Sequence, residues 1–238
     1  MRWLDLRRLP EPEVMDDSGE VEAYSSAAAL AYLSAIDDTF VDHVLRLLSG
    51  RASGKALDVG TGPGQMVRKM AKRLPGWSWT GVDRSPSMIR QAREDLAAGA
   101  EAASISDESH RGVNVEFFVA DANQLPFTDR AFDLVTCNSV LHHLQNPKQL
   151  LAEIVRVASP NGAVLIRDLR RPKRFIYAAH VRWYGRHYSG LMYKLYCDSV
   201  RSAYTREELS ELANTLPAAG LRVFNRGQTH LGLERPAS

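Results

Sequence analysis

One short turn constrains this chain more than any other part of it: Asp58-Val59-Gly60-Thr61-Gly62-Pro63-Gly64. The residues leading into it, Ala56-Leu57-Asp58-Val59, read as a short strand. Gln65–Leu74 reads as a helix that Pro75-Gly76 ends. Alternate glycines let the backbone turn sharply and let a ligand approach it closely. A strand-to-helix turn of this kind belongs to a parallel α/β sheet, whose ligands bind outside the carboxyl ends of the strands. The spacing then separates ligand classes. A dinucleotide turn would read G-x-G-x-x-G, and a phosphate loop would continue into Gly-Lys-Ser/Thr. Here the glycines alternate and an acid precedes them. A carboxylate at that point repels a pyrophosphate and attracts a cationic ligand such as an ammonium or a sulfonium.

The rest of the chain supplies the strands that such a turn requires. Trp77–Asp83, Val113–Val119, Phe132–Asn138 and Gly162–Arg167 read as further strands. Ser85 and Pro86 open a helix to about Ala98, Ser85 as its cap and Pro86 in its first turn. Gly99–Gly112 reads as a polar, irregular excursion. Pro147–Ala158 reads as helix, as does Thr205–Leu216, which starts with a Thr205/Glu208 capping box. Leu221–Asn225 and Gln228–Leu233 form a closing antiparallel pair around Gly227. These readings predict an α/β fold: a doubly wound, Rossmann-like sheet, mostly parallel, with helices on both faces. Residues 1–48 are expected to form an N-terminal arm and a helical cap in two segments. Residues 49–238 form the main domain, with 170–204 as a helical lid insertion.

Composition bounds the function classes. At 238 residues, 45% hydrophobic and 24% charged, the chain can bury an ordinary globular core, and a net charge of +2 indicates no partner. Cys137 and Cys197 form no CxxC pair and belong to no zinc-spaced set, so no metal is expected. Cys137 sits in an apolar run and reads as a small buried hydrophobe. No apolar window is long enough to span a bilayer and no leader is evident, so a cytoplasmic protein is the expectation.

Acids follow successive strands. Asp83 ends the second, 25 positions after Asp58, where a carboxylate can accept from both ribose hydroxyls. Asp121 follows the third in Val119-Ala120-Asp121-Ala122, where it can accept from an adenine amino group or close an Asx-turn.

These segments resemble the class I S-adenosylmethionine-dependent methyltransferases. Leu57–Gly64 resembles their first motif and Val82-Asp83-Arg84-Ser85-Pro86-Ser87-Met88 their second. Asp121–Phe127 with Phe132–Val135, Asn138–Leu144, and Ser159-Pro160-Asn161-Gly162-Ala163 resemble later ones in the right order. The resemblance implies that Asp58, Gly60, Thr61 and Gly62 surround the methionine part of the cofactor. It implies Asp83 at the ribose, Asp121 and Ala122 at the adenine, and Arg84 and Met88 along the adenosine. Asn138, Ser139 and His143 would face the methionine end. The ends of the chain resemble a bacterial branch of unassigned substrate, with a Pro-Glu-Pro-Glu arm and a Tyr24-bearing helix that would line the site.

Methyl transfer from a sulfonium is an in-line displacement that the protein aligns and sometimes assists with a base. His142 and His143 are the first base candidates, although the resembling enzymes carry this pair whatever their substrate. Asp168 is another, unless it pairs with Arg167 or Arg170. The 167–206 segment holds ten Lys and Arg against Asp168 and Asp198, interleaved with aromatics. It reads as a lid over a small-molecule acceptor, an RNA-binding surface, a membrane-surface segment, or a solvated basic face at a dimer contact. A small-molecule methyltransferase, monomeric or homodimeric, acting on an O, N, S or C nucleophile is the leading expectation. An RNA methyltransferase and an NAD-dependent dehydrogenase are the alternatives.

Overall fold

The computed structural model describes residues 5–10, 27–104, 114–216 and 219–238. The strands are β1 (Gly54–Val59), β2 (Trp77–Asp83), β3 (Val115–Val119), β4 (Phe132–Asn138), β5 (Ala158–Leu169), β6 (Arg222–Arg226) and β7 (His230–Arg235). The helices are α1 (Ala27–Leu47), α2 (Gln65–Arg73), α3 (Pro86–Ser104), α4 (Lys148–Val157), α5 (Tyr177–Tyr184), α6 (Gly190–Ser202) and α7 (Arg206–Asn214). The strands hydrogen-bond in the order β3-β2-β1-β4-β5-β7-β6. β1 lies parallel to β2 and β4, β2 parallel to β3, and β6 antiparallel to β7. This is the doubly wound, mostly parallel sheet with an antiparallel closing pair that the sequence predicts.

The chain divides into two compact units. One comprises Phe40–Asn138, Gln149–Leu165 and Arg235–Ser238. Its core is the near-continuous apolar run of β1 and β4 flanked by helices: Leu57, Val59, Leu134 and Val135 are buried with Phe40, Val44, Val67, Met70, Leu150 and Ile154. Strands covered on both faces carry such runs rather than alternation. The other unit comprises the residues up to Thr39, Ser139–Lys148 and Ile166–Glu234. Its core includes Leu141, Ile166, Val200, Ala203, Leu209, Leu231 and Leu233.

The structure moves several boundaries. α3 continues through Gly99 to Ser104, where the sequence suggested an irregular excursion. Alanine surrounds Gly99, and the helix propensity of that run outweighs the roughly 1 kcal/mol cost of one glycine. Residues 105–112 of the excursion lie outside the described residues. α1 runs unbroken through Asp37-Asp38-Thr39, where two segments were expected; the Thr39 hydroxyl donates to the Ile36 carbonyl at 2.7 Å within the helix. β5 begins at Ala158 rather than Gly162 and extends to Leu169. α7 has the expected capping box, Thr205 accepting from the Glu208 amide and Glu208 from the Thr205 amide. The closing pair turns at Gly227, whose φ of 62° favours glycine.

Candidate functional site

The turn after β1 is tied down by the neighbouring strand. The Gly60 and Thr61 amides both donate to the Val82 carbonyl, at 2.8 and 2.9 Å. The Gly62 amide donates to the Asp83 carboxylate at 2.8 Å. Gly60, Gly62 and Gly64 hold φ values of 74°, 53° and 74°, in the left-handed region. Two of these glycines have different surroundings. A Cβ on Gly64 would lie 2.6 Å from the Phe117 ring, so this glycine lets α2 pack closely on its neighbours. A Cβ on Gly62 would meet nothing within 4 Å, so the backbone there borders open space.

Asp58 is buried, 2% exposed. Parallel register places it beside Gly81 of β2 and Thr136 of β4. The Thr136 hydroxyl donates to its carboxylate at 2.7 Å. Burial pushes the Asp58 pKa up to about 6, against the pull of the Thr136 and Thr61 hydroxyls, and the Asp83 charge adds to the rise. Asp58 is therefore largely ionised at neutral pH but close to its titration. Thr136 was not singled out from the sequence; a hydroxyl between Val135 and Cys137 in an apolar strand is the signal that marks it.

Asp83 sits at the end of β2 with both oxygens engaged, one by the Gly62 amide and one by the Ser85 amide at 2.9 Å. Each carboxylate oxygen has two acceptor sites, so these bonds orient the group and still leave it capacity for a hydroxyl donor. The Ala120 amide donates to the Asp83 carbonyl at 2.9 Å, which brings the end of β3 beside it. Asp121 follows and is exposed. One of its oxygens accepts from the Asn123 amide at 2.8 Å, the Asx geometry weighed as its alternative. Ala122, Met88 and Asn138 are half-buried, and Arg84 is exposed. The Met88 amide meets the Ser85 hydroxyl at 3.4 Å, the cap expected at the start of α3. The open side of Gly62, an oriented Asp83 and a buried Asp58 suit a ligand carrying ribose hydroxyls and a positive charge.

The second unit brings His142, His143 and Asp168 together. The His142 Nδ1 lies 2.6 Å from one Asp168 oxygen, and the His142 amide donates to the other at 3.0 Å. Both side chains are buried. Burial opposes the Asp168 charge, but His142 and the hydrogen bonds hold its pKa below the ordinary carboxylate value. Its hydrogen-bond partners are thus His142 and the Leu169 amide, where the sequence suggested Arg167 or Arg170. Arg167 instead donates to the Ile36 carbonyl and the Thr39 hydroxyl, at 3.1 and 3.0 Å. The His143 ring lies 4.0 Å from that of His142. Burial, then the neighbouring His142, lowers the His143 pKa to about 3. Ser139, at the start of this segment, holds a φ of 60°, an unusual conformation for a residue other than glycine.

The arm at residues 5–10 packs within the same unit, a feature without a sequence signal. Arg8 donates to the carbonyls of Ser202 and Leu144, each at 2.6 Å, and lies 4.2 Å over the Tyr204 ring. The Tyr204 hydroxyl donates to the same Leu144 carbonyl at 3.2 Å. In the basic segment, Arg171 is buried, donating to the Ala203 carbonyl and pairing with Glu208. Tyr24 lies outside the described residues. Among the described residues no cluster of His, Cys, Asp and Glu is placed to hold a metal, and no helix is long and apolar enough to cross a membrane.

The sheet order and the glycine turn with its oriented acid fit the Rossmann-like fold of class I S-adenosylmethionine-dependent methyltransferases. A sequence model described as a methyltransferase domain matches residues 57–166 of this chain. It is 30% identical over 135 residues to the ubiquinone/menaquinone biosynthesis C-methyltransferase UbiE of Desulfotalea psychrophila, covering 57% of this chain and 49% of that protein. It is 31% identical over 150 residues to the demethylmenaquinone methyltransferase of Thermus thermophilus, covering 63% and 57%. The chain thus spans about half the length of these curated relatives. Among solved structures, a SAM-dependent methyltransferase from Aquifex aeolicus superposes with a TM-score of 0.61 at 20% identity, covering 92% of this chain and 98% of that one. The plantazolicin methyltransferase BpumL, solved with SAH, superposes with a TM-score of 0.67 at 16% identity, covering 94% and 92%. These likenesses concern the fold.

Proposed function

We propose that this protein transfers a methyl group from S-adenosylmethionine to a small-molecule acceptor, with an electron-rich ring carbon of a quinol as the first acceptor to test. The observation that carries the transfer is the β1 turn, in which Asp83 anchors the Gly62 amide at 2.8 Å beside the buried Asp58. When bound, the cofactor supplies an electrophilic methyl group on a sulfonium. Asp58, Gly60, Thr61 and Gly62 border its methionine part, Asp58 providing the negative charge. Asp83 accepts from the ribose hydroxyls with its remaining lone pairs. Asp121 and Ala122 flank the adenine, with Arg84 and Met88 along the adenosine. Asn138 faces the methionine end through its backbone. Support for a quinol comes from the activities for which the two curated relatives are named.

Of the base candidates, the arrangement favours His142. Asp168 orients its ring and stabilises a positive charge on it, as a carboxylate does for a histidine that must accept a proton. His143, with its pKa near 3, is a weak base at neutral pH and serves as a packed neighbour. The RNA reading loses support because Arg167 and Arg171 are buried and bonded to backbone carbonyls, which removes them from any phosphate-binding face.

The test is calorimetric titration with S-adenosylmethionine and with NAD, followed by methyl transfer from labelled cofactor to a panel of quinols, phenols, amines and thiols. Binding of NAD without S-adenosylmethionine overturns the whole reading. Transfer to another class, with quinols untouched, overturns only the acceptor.

A further inference from the structure

The segment from Lys173 to Arg186 presents an outward face to which the proposed transfer assigns no residue. A short 3-10 turn, Arg174–Ile176, runs directly into α5. His180 and Val181 are buried on the inner side. The outward positions recur at helical spacing: Phe175, Ala178, Ala179, Arg182, Trp183 and Arg186 are all exposed. Phe175 is 71% exposed, Trp183 63% and Ile176 42%. Large apolar side chains standing this far into water on one helix face indicate a contact surface rather than random exposure.

Charge narrows the occupant. Lys173, Arg174, Arg182 and Arg186 are exposed, and among the described residues none of them is in an ion pair. Some exposed cations elsewhere are paired, as Arg73 is with Asp42 and Lys194 with Asp198. No Asp or Glu occurs between Asp168 and Asp198, so the sequence provides this helix with no acid of its own. Arg186 stacks 4.6 Å from the Trp183 ring and donates to the Trp183 carbonyl, which places a cation beside the most amphipathic apolar group. A basic helix with outward Trp and Phe fits the boundary between lipid headgroups and acyl chains. The aromatic and aliphatic side chains enter the boundary while the arginines stay at the anionic headgroups. Ile176, Ala178 and Ala179 add apolar surface without donors, which suits acyl chains better than stacked bases.

We propose that this face of α5 docks the protein on a bilayer surface rich in anionic phospholipid. The docking proposal does not rest on the methyl-transfer reading, and its test needs neither cofactor nor acceptor.

The experiment is co-sedimentation of the full chain with vesicles of phosphatidylglycerol and phosphatidylcholine, against vesicles of phosphatidylcholine alone. The wild type is expected to partition strongly to the anionic vesicles, and less so at high salt. A basic residue at an anionic surface contributes about fivefold to partitioning, so joint Arg174→Gln, Arg182→Gln and Arg186→Gln substitution should lower it about a hundredfold. Joint Phe175→Ser and Trp183→Ser should lower it about tenfold or more. Brominated lipid should quench a tryptophan signal that Trp183→Phe removes. Thermal unfolding establishes that each variant is folded. The proposal is overturned if the wild type does not partition, if folded variants partition like it, or if the face binds single-stranded RNA in place of vesicles.

Discussion

Asp58→Asn separates what the fold needs from what the cofactor needs. The Asp58 carboxyl titrates near 6 in the folded chain against an ordinary value of 3.8. At about 1.4 kcal/mol for each tenfold change in proton affinity, its ionised form costs the folded state about 3 kcal/mol. The sign follows from proton binding. Between pH 3.8 and about 6 the folded state holds a proton that the unfolded state releases, so this group makes stability fall as pH rises through that window. Asparagine has no such titration and still accepts from the Thr136 hydroxyl, though its amide protons need acceptors and leaving them unmet costs about 1–3 kcal/mol. The robust quantity is therefore the change in the difference between the two proteins. From pH 4 to pH 8 the variant should gain about 2.5 kcal/mol of unfolding free energy relative to the wild type. Urea unfolding of both at several pH values measures it, since the other titrating groups cancel in the comparison. Calorimetry at pH 8 should show weaker S-adenosylmethionine binding by the variant. A difference that stays constant with pH to within about 0.5 kcal/mol, the usual tolerance for independent sites, refutes the buried-charge argument.

Other expectations follow from single contacts. Asp83→Ala removes the anchors of the Gly62 and Ser85 amides and should weaken S-adenosylhomocysteine binding by about 1–3 kcal/mol, the scale of charged hydrogen bonds; unchanged affinity in calorimetry counts against the ribose assignment. Gly64→Ala drives a methyl group against Phe117 on a left-handed backbone and should lower the unfolding free energy by about 2–5 kcal/mol, about 1–3 for overpacking plus about 1–2 for the backbone. Gly62→Ala meets open space, so it should cost stability only about 1–2 kcal/mol for the left-handed backbone while impairing cofactor binding more than Gly64→Ala does; the reverse ranking in calorimetry would show that the ligand lies elsewhere. Asp168→Ala strands His142 and should cost about 3–5 kcal/mol, as for breaking a buried pair. Because its folded pKa is lowered, the contribution of Asp168 is present above its ordinary 3.8 and is lost as pH falls through the folded value. A loss under about 1 kcal/mol in urea unfolding at pH 7, the scale of an exposed pair, would rule out the paired arrangement.

The sequence by itself determined the sheet and the glycine turn, because both are encoded locally. Apolar runs make the strands, glycine spacing makes the turn, and β2 and β4 occur at the residues read for them. The Thr205/Glu208 box was equally legible, since both halves lie within one helical turn. The tertiary structure decided what depends on distant partners. That Asp58 titrates near 6 follows from burial beside Thr136, 78 positions away, and not from its place in the motif. That Asp168 serves His142 rather than the adjacent arginines depends on where β5 ends relative to the Leu141–His143 turn. The same holds for the basic segment. In sequence its cations are equivalent, but packing buries Arg167 and Arg171 as structural donors and leaves Arg174, Arg182 and Arg186 in water. Composition counts charge; only the three-dimensional arrangement says which charges remain available to a partner.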